Sequence, residues 1–191
     1  MQDLPEDDDV QDQVSSPTQP EPESEPDHPQ STKLSEGDYI HVGAYPFMMD
    51  VLRKQGDQAV LFADKILKVT GSGKMKSRVL IATDFAIYIF DMETNSLKRR
   101  VALAAVDKIC MSELIDHFFV VVVPTEYDLL LVSTRKNQII TAFVEATIKA
   151  SDYELEIVSS NRFEYNAAAD LVKELEFEEV EGGVKTRISR K

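Results

Sequence analysis

Basic side chains are the residues of this chain whose types and spacing suggest chemistry. Lys68, Lys74, Lys76 and Arg78 surround the turn Gly71-Ser-Gly-Lys-Met-Lys-Ser-Arg78. Lys76 and Arg78 are two apart, so on a strand they share a face. Lys98, Arg99 and Arg100 form a second cluster, and Arg135 and Lys136 stand where a helical pattern opens. Basic residues there oppose the helix dipole, so packing alone does not account for them. Ammonium and guanidinium groups converging from separate elements are what a phosphate-bearing anion requires. Gly71 and Gly73 let such an anion approach the backbone. The plainer reading of the same residues is a charged sheet rim.

Other chemistries find less support. Gly71-Ser-Gly-Lys74 resembles the end of a nucleotide phosphate loop, but G-x-x-x-x-G-K-[ST] requires Gly where Lys68 stands and Ser or Thr where Met75 stands. His28, His41 and His117 are far apart, and with one cysteine they offer no structural zinc pattern. Asp152, Glu154 and Glu156 alternate as on a solvated strand face. No nucleophile has a base at motif spacing. The expectation is a non-enzymatic protein with no metal and no cofactor. Nucleic acid is disfavoured, because the basic groups are not interleaved with exposed aromatics.

The charge of −13 over 191 residues is unevenly spread. Residues 1–38 hold twelve Asp/Glu against one Lys, a net of −11, and residues 39–191 hold twenty-two against twenty Lys/Arg, a net of −2. The first 36 residues also carry six prolines and almost nothing apolar. Such a segment cannot bury enough surface to offset its ordering entropy, and is expected to be a disordered acidic tail. Residues 37–191 are expected to form one domain, with its core at about 58–150. The lone Cys110 permits no internal disulfide, which fits a reducing, cytoplasmic setting. No apolar run approaches the roughly 20 residues needed to span a bilayer, so membrane contact is expected to be peripheral.

The elements that position the basic residues are legible from periodicity. Pro46 and Gly56 bracket a short helix, Pro46-Phe-Met-Met-Asp-Val-Leu-Arg-Lys-Gln55, with Phe47 and Val51 on one face that can extend to Met48 and Leu52. Seven short apolar strands follow: one over 59–69, then Val79–Ile81, Phe85–Phe90, Leu97–Leu103, Val106–Met111, Phe118–Val123 and Tyr127–Val132. A helix begins near Ser133 or Thr134, and Ile139, Ile140, Phe143, Val144, Thr147 and Ile148 mark its buried face. Phe118, Val120 and Val122 are expected to pack against Phe143. Near the C-terminus, Leu155–Val158 and Arg162–Tyr165 alternate like strands, and Glu181-Gly182-Gly183 signals a tight hairpin. In that hairpin Glu174, Glu176 and Glu178 would face Lys185, Arg187 and Arg190. The pattern predicts a mainly β (α+β) domain, a bent antiparallel sheet plugged by a helix.

Several segments carry a family likeness. Gly37-Asp-Tyr39 before a short helix, Val60-Leu-Phe-Ala-Asp64, Ser77-Arg-Val-Leu-Ile81 with Thr83-Asp84, and Leu97-Lys-Arg-Arg-Val101 come in order. Asp116-His-Phe-Phe-Val120, Tyr127-Asp-Leu-Leu-Leu131 and Ser160-Asn-Arg-Phe-Glu-Tyr165 follow. Together they resemble the tail homology domain of class I myosins, over roughly Gly37 to Arg190, in a sequence that contains no motor. The resemblance implies a pleckstrin-homology-like core of seven strands capped by a helix, with added elements at both ends. It also implies binding of anionic phospholipids, including phosphoinositides, through a Lys, a variable loop and Lys/Arg-x-Arg. Lys68 and Lys76-Ser-Arg78 fit that pattern, and Lys74 lies within it; Lys98, Arg99 and Arg100 form a secondary patch. The near-neutral domain also suits a second reading, a protein-interaction module with a cytoskeletal or ciliary partner that keeps the fold without the lipid site. If the acidic tail contributes nothing to the core, a chain starting at Gly37 should fold and melt within a few degrees of the full chain in a calorimetric scan.

Overall fold

The apolar segments form eleven strands and two α-helices in a computed structural model that describes residues 36–57 and 59–191. The acidic tail anticipated over residues 1–36 falls almost entirely outside the described residues. Helix α1 (Pro46–Gln55) precedes strands β1 (Val60–Val69), β2 (Met75–Thr83), β3 (Ala86–Asp91), β4 (Ser96–Ala102), β5 (Lys108–Met111), β6 (Phe118–Val122) and β7 (Leu129–Val132). Helix α2 (Lys136–Ser151) follows, then β8 (Glu156–Ser159), β9 (Arg162–Ala168), β10 (Leu171–Val180) and β11 (Gly183–Arg190). The first seven strands pair antiparallel in the order β4-β3-β2-β1-β7-β6-β5, and β8 adds to the edge of the same sheet, parallel to β5. Strands β9 to β11 make a separate antiparallel sheet.

The seven strands wrap around one apolar interior. Phe62 and Ile66 of β1, Leu80 and Ala82 of β2, Ile87 and Ile89 of β3, Val101 of β4, Ile109 of β5, Phe119 and Val121 of β6, and Leu129 and Leu131 of β7 all belong to it. Helix α2 plugs this interior with Ile139, Ile140, Ala142, Phe143 and Ala146. The helix starts at Lys136, and Ser133 Oγ accepts from the Arg135 N–H at 3.0 Å just before it. Its buried face is turned slightly from the expected one, for Ala142 and Ala146 are buried while Ile148 is 44% exposed.

The outer face of the sheet is covered twice. Over β1–β3, Met48, Met49 and Leu52 of α1 pack with Val60, Ala63, Val79, Ile81, Tyr88 and Phe90. Pro46 opens that helix, and Gly56 closes it at φ 76°, as its sequence bracket predicts. Over β5–β7 the C-terminal sheet packs Tyr165, Ala167, Leu175 and Phe177 against Val69, Cys110, Val120 and Leu130. This second cover corrects one expectation. Phe119 and Val121 face Phe143, whereas Phe118, Val120 and Val122 face the C-terminal sheet. Strand β6 is apolar on both faces because both are covered, so its sequence carried no alternation from which to choose.

The hairpin at Glu181-Gly182 forms as anticipated, with Val180 opposite Gly183 and Gly182 at φ 88°. Glu178 stands opposite Lys185 and Glu176 opposite Arg187, whose guanidinium lies 3.6 Å from the Glu176 carboxylate. Arg190 stands opposite Lys173, and Glu174 pairs instead with Arg162 of β9 at 2.9 Å. A buried carboxylate ties α1 to the sheet. Asp57 accepts from Thr83 Oγ1 at 2.9 Å and from the Tyr88 hydroxyl, and Arg100 of β4 lies 3.9 Å away. Burial, and then the bond to Asp57, hold the Tyr88 hydroxyl well above its usual pKa.

Phe143 is fully buried where α2 meets the sheet. Replacing it by Ala should cost about 3–5 kcal/mol in urea-denaturation stability. A loss under about 1 kcal/mol would mean that the helix does not plug the sheet as described.

Candidate functional site

Strands β1 and β2 bring the basic residues of the first turn together by register. Lys68 stands opposite Lys76, and Arg78 opposite Ile66. Directly opposed residues point to the same face, and Ile66 belongs to the interior. Lys68, Lys76 and Arg78 therefore continue the inner face of the sheet past the end of its apolar core, at an open mouth. Lys76 is exposed, and Lys68 and Arg78 are half-buried. The turn between the strands is self-braced. The Thr70 N–H donates to Lys74 O at 2.8 Å, Gly73 N–H to Thr70 O at 2.9 Å, and Lys74 N–H to Thr70 Oγ1 at 3.1 Å. Gly73 takes φ 86°, a conformation that favours glycine. Lys74 is exposed on this turn.

The second basic cluster divides. A β-bulge in β4 leaves Leu97 opposite Phe90 and Arg99 opposite Ile89, with Lys98 as the extra residue. Lys98 is exposed. Arg100 goes to the outer face, where its Nε donates to the Tyr88 hydroxyl at 3.1 Å. Arg99 goes inward, to the same mouth as Lys68 and Arg78, and is only 7% exposed. One patch in sequence thus becomes three separate environments. The basic pair at the start of α2 is accounted for by ion pairs elsewhere. Arg135 lies 2.7 Å from Asp64 and stacks 3.8 Å from the Tyr39 ring centroid, and Lys136 is buried 3.5 Å from Asp116. Packing and pairing suffice to explain both, contrary to the expectation from the dipole.

Three loops frame the mouth: 70–74 between β1 and β2, 92–95 between β3 and β4, and 123–128 between β6 and β7. Each supplies or adjoins a charged or aromatic group. Asp91 lies 3.5 Å from Arg78. Burial raises the pKa of this carboxyl, but the Glu93 N–H, then Arg78, then the contacts of Thr94 outweigh it, and the net displacement is downward. Glu126 Oε2 accepts from Arg99 Nη2 at 2.9 Å. The Arg99 guanidinium stacks 3.9 Å from the Tyr127 ring centroid, and Lys68 Nζ lies 5.6 Å from the same ring. Burial, followed by the nearby charges of Arg99 and Arg78, pushes the pKa of Lys68 below its usual value. Among the described residues, Lys68, Lys74 and Lys76 form no salt bridge.

The C-terminal sheet holds two of these loops. Asp128 is buried, accepts from the Val123 N–H at 2.9 Å and the Asn166 N–H at 2.8 Å, and donates its own N–H to Asn166 O at 2.8 Å. Gly71 lies so close to β9 that a Cβ there would stand 3.4 Å from Ala167 O. The mouth is thus an inner-face cluster of cations set in a braced frame, with two carboxylates already in place. Such an arrangement suits an anion with several oxygens. Of the residues placed around the mouth, the sequence reading singles out Lys68, Lys74, Lys76 and Arg78 but not Asp91, Glu126, Tyr127 or Asp128. Strand alternation over Lys98-Arg99-Arg100 was the one signal that would have separated Arg99 from its neighbours.

Similarity to known proteins runs along the same span. Myosin heavy chain IB of Acanthamoeba castellanii is 28% identical over 150 residues, 74% of this chain and 13% of that protein. Myosin IA heavy chain of Dictyostelium discoideum is 32% identical over 125 residues, 59% of this chain and 13% of that one. The chain therefore spans a small part of the length of these relatives. Among solved structures, the N-terminal PH domain of human ARAP2 protein aligns with 47% of this chain and 80% of its own, at 18% identity and a TM-score of 0.39. The family described as "Unconventional myosin tail, actin- and lipid-binding" matches residues 36–191. With its eight-stranded sheet, helical plug and C-terminal sheet all inside that match, the chain belongs to the unconventional myosin tail family.

Proposed function

We propose that this chain is a peripheral membrane-targeting module whose basic mouth binds the phosphate-bearing headgroups of anionic phospholipids, phosphoinositides among them. The observation that carries this reading is the convergence of Lys68, Lys76 and Arg78 on one inner rim, with Lys74 exposed on the turn above them. The family description names lipid among the ligands of such tails. Among the described residues no helix is long and apolar enough to cross a membrane. Lysines near an anionic leaflet contribute about 1 kcal/mol each, so the four groups supply a few kcal/mol, screened by salt.

A second reading has its own support. Arg78 and Arg99 each face a carboxylate, at 3.5 Å and 2.9 Å, so part of the positive charge is already compensated. That favours a module in which a cytoskeletal protein is the main partner, and the family description also names actin.

Vesicle co-sedimentation at low salt separates the two. The Lys74→Glu/Lys76→Glu protein alters two exposed side chains outside any ion pair, so its Tm should stay within about 2 °C of wild type. It should lose binding to vesicles containing phosphatidylinositol bisphosphate. Arg78 is less suited to charge reversal, because a carboxylate there would also confront Asp91. Wild-type protein that ignores such vesicles while co-sedimenting with actin filaments would favour the second reading.

A further inference from the structure

Arg99 is the most deeply placed cation of the mouth, and its hydrogen-bonding capacity is largely unspent. It is 7% exposed, stacked on Tyr127 and bonded through Nη2 alone, to Glu126 and to Tyr127 O. Its Nε and Nη1 are buried and have no hydrogen-bond partner among the described residues. Buried guanidinium groups ordinarily satisfy their donors, and an unsatisfied one is costly.

The two carboxylates of the mouth are held very differently. The Asp91 side chain is 10% exposed and its Oδ1 accepts the Glu93 N–H at 2.9 Å, so it is pinned in place beside Arg78. The Glu126 side chain is 53% exposed, and among the described residues its hydrogen-bond and ion-pair partner is Arg99. Water reaches the Glu126 half of this pair while Arg99 stays buried, so the carboxylate is the member that another anion can replace. Lys68 and Arg99 share the Tyr127 ring, so an anion that takes the place of Glu126 meets two cations at once. A phosphate group has more oxygens than the carboxylate it would replace, and so can use donors that Glu126 leaves idle.

We propose that Arg99 is a binding residue for one phosphate of the ligand, and that Glu126 is a resident substitute for that phosphate which the ligand must displace. The proposal rests on the headgroup reading above and adds to it a residue outside the first strand-turn-strand. It makes affinity depend on exchange of one carboxylate for one phosphate at Arg99.

Two probes distinguish a free phosphate ester from a membrane: soluble inositol trisphosphate in calorimetry, and phosphatidylinositol bisphosphate vesicles in co-sedimentation. Glu126→Gln removes the substitute charge and should tighten binding about threefold to tenfold. Glu93→Gln makes the same charge change on the neighbouring exposed loop and should alter binding less than about twofold. In an Arg99→Gln background the gain from Glu126→Gln should vanish. The Arg99 Nε–H resonance of the wild-type protein should shift on titration with the trisphosphate, a readout that does not require the Arg99 variant to fold. A gain confined to vesicles would place the phosphate donor in the membrane, whereas a gain with both probes would show that the headgroup suffices. Equal gains from Glu126→Gln and Glu93→Gln, no gain from Glu126→Gln, or an unmoved Arg99 resonance would each overturn the proposal. If the Lys74/Lys76 reversal still abolished binding in those cases, the headgroup reading would stand without it. If neither wild type nor Glu126→Gln bound either probe, both readings would fall.

Discussion

A sheet that is apolar on both faces has to be covered on both faces, and most of this architecture follows from that requirement. Phe119 and Val121 of β6 point into the interior that α2 plugs, while Val120 points outward to Tyr165, Leu175 and Phe177. On the other half of the sheet, Met48, Met49 and Leu52 do the same work over Tyr88 and Phe90. At about 25 cal/mol for each Å² of apolar surface removed from water, each cover stabilises the sheet it packs on. The added elements at the two ends of the seven-stranded core are packed onto it by these covers.

The same covers position the charged groups. The C-terminal sheet grips the 123–128 loop through Asp128 and lies against the 70–74 turn at Gly71. That loop carries Tyr127 and Glu126, and that turn carries Lys74. Cations held close together repel one another, as the lowered pKa of Lys68 records once the larger effect of burial is set aside. A flexible frame would let them drift apart into water. A frame fixed by buried apolar contacts keeps them together, and an anion bound among them would relieve that repulsion.

Much of the fold was legible because it depends on local pattern. The seven strands, the two helices, the first with Pro46 and Gly56 as punctuation, and the Glu181-Gly182 hairpin each leave a short-range signature, whereas the cap expected at Ser133 or Thr134 falls instead at Arg135. The facing of β6 was not legible. An apolar run such as Phe118–Val122 has no period, and its two sides are told apart only by what long-range packing places on them. The site was legible in the same measure. Lys68, Lys76 and Arg78 are neighbours across one hairpin, so their convergence follows from register alone. Arg99 reaches them across the sheet and meets Tyr127 from a third loop, a relation set by tertiary closure rather than by spacing. The split of Lys98, Arg99 and Arg100 depended further on a bulge, which a run of three basic residues does not announce.

The bulge at Lys98 also lies on an edge of the larger sheet, since among the described residues β4 has no neighbour beyond it there, and β8 at the opposite edge has four residues. The smaller sheet ends on β11, whose length is punctuated by Lys185, Arg187 and Arg190. Unpaired strand edges are templates for joining another chain, and bulges, brevity and charge are the usual means of blunting them. A protein concentrated on a two-dimensional surface meets its own copies far more often than one in dilute solution. Edges built in this way resist strand-to-strand joining wherever copies of a chain are brought close together.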